Sequence, residues 1–218
     1  MHVRRPLQNR VDPFGDLHAV SARGTLMGNR GGCLHNDQLQ LGRRRWTSRR
    51  WIACVLEFKE RHRTVMTPDR YTELFFLDEA TALAAGHRPC FECRRREARA
   101  FADVWARAAD LLQPPSADAM DRRLHSERMV SRDRGSSGPL VCLADLPNGV
   151  MVSLKTGNGD RSAWMVLDGT LRRWSFTGYE MARSTVDVGE AELITAPSIV
   201  AVLNVGYPLR LHPSAYAS

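Results

Sequence analysis

Apolar and polar positions along the first 80 residues predict loops and a few short strands. Residues 1–45 are rich in Gly, Arg and Asn, and we expect loop or short strands there. The apolar run 51–58 predicts a buried strand, with residues 63–66 as a candidate hairpin partner. A second apolar run predicts a strand over residues 71–77.

Helical features follow these strands. Asp78 is a good N-cap for a short helix over 79–85, which Gly86 would end. A weaker apolar pattern predicts a helix over 117–130. Between the two, apolar residues at spacings of three and four predict a longer amphipathic helix ending at Leu112, with a buried face of Ala98, Phe101, Trp105, Ala108 and Leu112.

The last third of the chain has a different pattern, with short apolar runs separated by Asn-Gly and Asp-Gly turn signals. A late helix is expected from residue 198 to 206. The runs predict four strands, over 140–143, 150–154, 163–167 and 171–176.

Together these elements predict an α+β fold, in which a small antiparallel sheet flanked by helices is followed by a β-rich half. We expect a basic domain over 1–112, a helix and linker over 113–139, and a β-rich domain over 140–218. The segment 131–139 (SRDRGSSGP) is the clearest linker.

Cys90 and Cys93 form a Cys-x-x-Cys pair at a predicted loop-to-helix junction. This spacing allows both thiolates to bind one tetrahedral zinc ion at about 2.3 Å. A redox pair and two cysteines in plain packing positions are the alternatives. A redox motif follows a strand and opens a helix, whereas a short helix and Pro89 precede this pair, so we favour a structural zinc site.

A structural zinc ion needs two further ligands. We favour Cys54 over Cys33 as the third, because Cys54 lies on the strand before the helix–loop unit, and His35 over His87 as the fourth. His62 is another candidate. Cys142 lies in the other half, and we expect it in the core there.

The stretch from Phe75 to Cys93 (FFLDEATALAAGHRPCFEC) resembles the second half of the Ada-type metal-binding domain of bacterial alkylation-response proteins. That family has an aromatic strand, a short Ala-rich helix, and Ala-Gly-Phe-Arg-Pro-Cys-x-x-Cys before a helix. The resemblance covers about residues 71–112, and it implies that Cys90 and Cys93 are the second pair of zinc ligands.

The family's first ligand pair is Cys-x3-Cys, and Cys54 is the cysteine of this chain near that place. Phe58 stands four residues later, where the family has its second cysteine. The resemblance therefore implies a metal site and contact with DNA, and it does not extend to the family's transfer of methyl groups from DNA phosphotriesters.

Positive charge is concentrated in the first 100 residues, which hold 19 Lys and Arg against 11 Asp and Glu, whereas the whole chain has a net charge of +7. Clustered arginines suit phosphate, and indoles can stack on bases. We therefore expect nucleic acid, DNA rather than RNA, as the partner; a solubilising surface or a surface for a protein partner is the alternative. The candidate contacts are Arg43, Arg44, Arg45, Trp46, Arg49, Arg50, Arg94, Arg95 and Arg96.

No apolar run is long enough for a membrane span, and no secretory signal stands at the start, so we expect a cytoplasmic protein without a membrane partner. A second hypothesis is a metal-dependent enzyme acting on nucleic acid or nucleotides, which would use His125 and Glu127 or an open zinc position. Zinc nucleobase deaminases place a His-x-Glu before Pro-Cys-x-x-Cys, whereas His125-Ser-Glu127 comes after it here.

Overall fold

The structure is a computed structural model that describes residues 6–60, 64–133, 138–155, 157 and 159–217. These residues form a mixed α+β fold with two six-stranded sheets and five α-helices, which confirms the predicted fold class at that level. None of the helices in the described part of the chain is both long and apolar enough to cross a membrane.

The first sheet has the strand order β2-β1-β5-β3-β4-β6. It is mixed, since β1 pairs with β5 and β4 pairs with β6 in parallel, and the prediction of an antiparallel sheet was wrong in this respect. Crossover connections long enough to hold other elements allow these parallel pairs. The strands are β1 (Gln8–Val11), β2 (Leu17–Ala19), β3 (Leu26–Asn29), β4 (Ile52–Cys54), β5 (Leu74–Phe76) and β6 (Arg88–Pro89).

Helix α1 (Glu79–Ala84) follows β5 directly and is completely buried. The Asp78 side chain accepts a hydrogen bond from the Thr81 backbone N–H at 3.0 Å, which confirms the predicted N-cap. Asp78 also accepts a 2.9 Å hydrogen bond from the Tyr179 hydroxyl in the second half of the chain. The cap therefore connects the two sheets.

The second sheet is antiparallel throughout, with the order β11-β10-β9-β8-β12-β7. Four of its strands correspond to the predicted ones, while β11 and β12 were not predicted. The strands are β7 (Leu140–Cys142), β8 (Met151–Lys155), β9 (Arg161–Leu167), β10 (Thr170–Ser175), β11 (Gly178–Ser184) and β12 (Glu190–Leu193).

The remaining helices pack between and beside the sheets. The predicted long helix ends four residues early, and Leu112 is fully exposed rather than buried. The helix over 117–130 is confirmed and extends to residue 133, so it includes the start of the predicted linker. The helices are α2 (Arg95–Ala108), α3 (Ala117–Asp133), α4 (Thr185–Val188) and α5 (Pro197–Asn204).

Three further predictions differ from the structure or fall outside it. The strand predicted over 51–58 is limited to β4, because the chain turns outward and Leu56 is half exposed. Residues 64–66 are not part of a strand, and residue 63 of that predicted hairpin partner lies outside the described residues. Residues 134–137 of the predicted linker lie outside them as well.

One hydrophobic cluster spans both halves of the chain. Phe101 and Trp105 of α2 belong to the same buried cluster as Val152 and Trp164 of the second sheet. The two halves therefore share a core. Because burial of apolar area contributes about 25 cal/mol per Å², this shared core stabilises both halves together. The boundaries at 112 and 139 stay a prediction.

Candidate metal centre and the surface beside it

Three cysteine side chains meet at one point of the first sheet. The sulfur atoms of Cys54, Cys90 and Cys93 all lie within 4.8 Å of one another. Cys54 and Cys90 are 6% and 7% exposed, and Cys93 is half-buried. This group could hold a metal ion, since thiolates at such separations can bind a single cation.

The parallel pairing of β4 with β6 creates the group. Ile52 is aligned with Arg88 and Ala53 with Pro89, so Cys54 and Cys90 follow at the same end of neighbouring strands. The Cys90 backbone N–H donates to the Ala53 carbonyl at 3.0 Å, which extends the pairing by one residue. Two residues separated by 36 positions in the sequence are thus held side by side by backbone hydrogen bonds.

A tight turn then carries the chain from Cys90 to Cys93 and into α2. The Arg94 backbone N–H donates to the Cys90 carbonyl at 3.0 Å, and the Glu92 backbone N–H lies 3.4 Å from the Cys90 sulfur. N–H groups directed at a sulfur stabilise its thiolate. The turn therefore brings Cys93 back to Cys90 and favours the charged form of that residue.

The three thiols also influence one another. Hydrogen bonds from Cys54 and Cys93 hold the pKa of Cys90 far below its usual range. The hydrogen bond with Cys90 raises the pKa of Cys54 above its usual range, and burial acts in the same direction. The group therefore favours the charged form of Cys90 over that of Cys54. Because only thiolates bind metal, a cation would displace the remaining protons.

Of the four ligands predicted from the sequence, the structure brings Cys54, Cys90 and Cys93 together and leaves His35 outside the group. The His35 ring lies elsewhere, with Nδ1 2.7 Å from the Thr72 hydroxyl and 3.6 Å from the Cys33 sulfur. His35 thus belongs to a separate polar cluster, because the loop after β3 directs it toward Thr72.

The other candidate ligands do not join the three cysteines either. Cys33 is exposed, and His87 is completely buried against the Trp51 and Phe76 rings. His62 lies outside the described residues. Cys142 is exposed, so the prediction that it lies in the core was wrong, because it ends the edge strand β7.

The predicted arginine segment lies on the surface beside this centre. Arg43, Arg44, Arg45, Arg49 and Arg50 are exposed and Trp46 is half-buried. The Trp46 ring contacts the Trp51 ring at 6.0 Å and the His125 ring at 6.2 Å between centroids. These contacts anchor the segment while its guanidinium groups remain in solvent.

A cleft of about 930 Å³ lies between the second part of the arginine segment and Cys90. Its lining includes residues 46–50, the turn residues Cys90, Phe91 and Glu92, and His125 and Asp118 of α3. A ligand in the cleft would therefore contact Arg49, Arg50 and Cys90 at once.

Arg94, Arg95 and Arg96 were predicted as one basic group, and the structure separates them. Arg95 and Arg96 are exposed on α2. Arg94 is 1% exposed, and its Nη2 donates to the Glu79 carboxylate at 2.7 Å. Its inclusion among the nucleic-acid contacts was wrong, because Arg94, the N-cap residue of α2, points into the core toward Glu79.

His125 and Glu127, the candidate catalytic residues, line different cavities. Glu127 accepts hydrogen bonds from Ser198 Oγ at 2.6 Å and from Arg123 Nε at 2.8 Å, so it serves to connect α3 with α5. His125 Nδ1 is buried without a hydrogen-bond partner among the described residues. Burial and the nearby Arg128 lower the pKa of His125.

The Ada-type resemblance stays a prediction, because the comparisons with known proteins do not test it. No family model matches the chain, and no curated protein or solved structure matches it either.

Proposed function

We propose that this chain is a zinc protein that binds nucleic acid, DNA in preference to RNA, beside a structural metal site. The observation that carries the proposal is the shared cleft, which Arg49 and Arg50 of the arginine segment line together with Cys90 of the cysteine group. Metal binding would hold together β4, β6 and the start of α2. The arginine segment would contact the phosphates.

Zinc is the metal that the donor set favours. Sulfur ligands select soft or borderline cations, and tetrahedral zinc is the usual occupant of cysteine-rich structural sites. Two of the three sulfurs are nearly buried, which limits exchange with solvent. A fourth donor from the cleft side would complete a closed, structural coordination shell.

Nucleic-acid binding is supported by charge and exposure together. Five exposed arginines occur within eight positions, which places several cations within a Debye length of about 10 Å of one another. Such a cluster releases counterions from a phosphate backbone, so its affinity depends steeply on salt. Trp46 at the edge of the cleft offers an indole for base stacking.

The experiment is a salt titration of binding by fluorescence anisotropy, with single- and double-stranded DNA and RNA of one sequence. The double variant Arg49→Gln/Arg50→Gln, which removes the two exposed arginines that line the cleft, should weaken binding and reduce the slope of log K against log salt by about 2. Its matched control is Arg107→Gln/Arg173→Gln, which removes the same charge from exposed arginines outside the cleft. Equal losses in the two double variants would contradict a specific surface.

A metal-dependent enzyme acting on nucleic acid or nucleotides is the second candidate. It is favoured by the number of cysteines, since three protein ligands and a water molecule are typical of catalytic zinc, and by His125 in the same cleft. The variant His125→Asn should then abolish turnover of nucleotide or oligonucleotide substrates while the metal content and binding remain. Zinc-loaded protein without any turnover would favour the binding protein.

A further inference from the structure

A second cavity, of about 560 Å³, shares Trp46 with the cleft in its lining and has an excess of positive charge. It is bounded by the loop between β1 and β2, the end of α1, the middle of α3 and the segment after β12. Two carboxylates on its wall, Asp16 and Glu127, face four arginines: Arg30, Arg45, Arg123 and Arg128. We refer to it as the arginine pocket.

Arg30 is buried there without an acidic partner. Arg30 is 1% exposed. Its hydrogen bonds go to uncharged groups: Nη2 donates to the Gly15 carbonyl at 2.8 Å, and Nε donates to the His87 ring at 3.4 Å. No carboxylate of the described residues lies within ion-pair distance. Burial, followed by repulsion from Arg128, lowers the pKa of Arg30 to about 9.

Arg128, which is half-buried, is a second guanidinium without an ion-pair partner among the described residues. It lies 4.2 Å from the Trp51 ring centroid, and Arg30 lies 3.9 Å from the same centroid. Its two Nη atoms donate to the carbonyls of Gly86 and Arg49, at 2.7 and 3.1 Å. Its Nε is buried and has no hydrogen-bond partner among the described residues.

The other buried arginines of the described chain behave differently. Arg88 is paired with Asp121 and Arg94 with Glu79, each at 2.6–2.7 Å. Buried charges in proteins are normally paired in this way because an uncompensated one is strongly destabilising. Two neighbouring guanidiniums that lack an ion-pair partner among the described residues, on the wall of one cavity, are the arrangement expected when an anionic ligand completes the site.

The rest of the wall is largely apolar, which indicates what the anion would carry. Phe14, Ala84, Ile194 and Pro197 line it opposite the arginines. The cavity volume lies within the range of about 300–1,000 Å³ that is typical of small-molecule sites. A ligand that fits has a compact apolar or aromatic body and a strongly charged end.

We propose that the arginine pocket binds a phosphate monoester on an aromatic body, of the nucleoside monophosphate class. Such a phosphate carries a charge of about −1.5 to −2 at neutral pH, which matches the two guanidiniums, whereas a carboxylate would neutralise one. The ligand is either a free nucleotide or the phosphorylated end of a nucleic-acid strand. Only the second source rests on the proposed function.

The test is calorimetric titration of the purified 218-residue chain with adenosine 5′-monophosphate. We expect one saturable site, with an affinity at least about tenfold higher than for adenosine or inorganic phosphate. A 5′-phosphorylated oligonucleotide that competes with the nucleotide, when its unphosphorylated form does not, would identify the strand end as a source; no competition would identify the free nucleotide. Absence of saturable nucleotide binding would overturn the proposal.

Variants locate the binding. Arg128→Gln should weaken nucleotide binding by at least about tenfold, since it removes a charged hydrogen-bond donor. Because Arg128 also contacts the backbone, a second variant, Arg45→Gln, removes an exposed arginine of the pocket; its control is Arg43→Gln, which lies outside the pocket. Equal nucleotide affinity in Arg45→Gln and Arg43→Gln would overturn the pocket.

The two proposals fail separately. If nucleotide binding is absent while Arg49→Gln/Arg50→Gln still weakens DNA binding, the pocket is wrong and the nucleic-acid surface stands. If nucleotide binds to the pocket and neither double variant changes DNA binding, the nucleic-acid surface is wrong and the pocket stands.

Discussion

Arg88 and Asp121 form a two-bond ion pair between the strand that precedes the cysteine turn and helix α3. Arg88 Nε lies 2.9 Å from one carboxylate oxygen of Asp121, and Arg88 Nη2 lies 2.6 Å from the other. Both side chains are at most 5% exposed. Arg88 is two residues before Cys90, so this pair fixes the candidate metal centre against α3.

Removing one partner of this pair should destabilise the fold. Asp121→Asn leaves a buried guanidinium without its counter-charge, and we expect the free energy of unfolding to fall by about 3–5 kcal/mol. Urea denaturation of the metal-loaded protein measures it. The control is Asp118→Asn on the same helix, where the ion pair with Arg122 is half exposed and the cost should be below about 1 kcal/mol. Similar losses in the two variants would contradict a special role for Asp121.

Arg94 and Arg95 are neighbours with opposite roles. Arg94 is buried against Glu79, which also accepts a 2.9 Å hydrogen bond from the Tyr207 hydroxyl, whereas Arg95 is exposed. Arg94→Met should lower the free energy of unfolding by about 3 kcal/mol or more, because it leaves a buried carboxylate. Arg95→Met should change it by less than about 0.5 kcal/mol. Thermal or urea unfolding compares the two variants. An unchanged free energy of unfolding in Arg94→Met would contradict the buried ion pair.

His87 should make stability depend on pH. Burial lowers the pKa of His87 well below its ordinary value of 6.5, and the charges of Arg30 and Arg128 act in the same direction. Below pH 6.5 the His87 ring therefore binds a proton in the unfolded chain and does not bind it in the folded chain. The free energy of unfolding should fall with decreasing pH by up to about 1.4 kcal/mol per pH unit.

The variant His87→Gln isolates this contribution, because every other titrating group is retained. Urea unfolding between pH 5 and 7 should give a smaller pH dependence for the variant than for the wild type. Identical pH dependence in both proteins would mean that His87 is not held neutral in the folded state.

Local features of the sequence were sufficient for the elements around the candidate centre. Asp78 and Gly86 mark the ends of the α1 region, and the spacing of Phe101 and Trp105 identifies the buried face of α2. These signals act within one or two turns of the chain. The Cys-x-x-Cys pair is local in the same sense, because the spacing of Cys90 and Cys93 is enough to predict that their sulfurs lie close together.

Long-range pairings were not readable in this way. Nothing near Cys54 in the sequence indicates that β4 pairs with β6. Only the position of Cys54 before the helix–loop unit favours it as the third metal ligand. Arg94 was misassigned because its neighbours are exposed and its partner Glu79 lies 15 positions away. The arginine pocket was missed because Arg30 and Arg128, 98 positions apart in the sequence, meet only over the Trp51 ring.

The central claim is that Cys54, Cys90 and Cys93 bind zinc together. The most direct measurement is metal content per chain by mass spectrometry of the purified protein, for the wild type and single Cys→Ser variants. We predict one zinc ion per wild-type chain, loss of it in each of Cys54→Ser, Cys90→Ser and Cys93→Ser, and full retention in the controls Cys33→Ser and Cys142→Ser. A folded wild-type protein without metal, in which all five thiols react freely, would contradict the account.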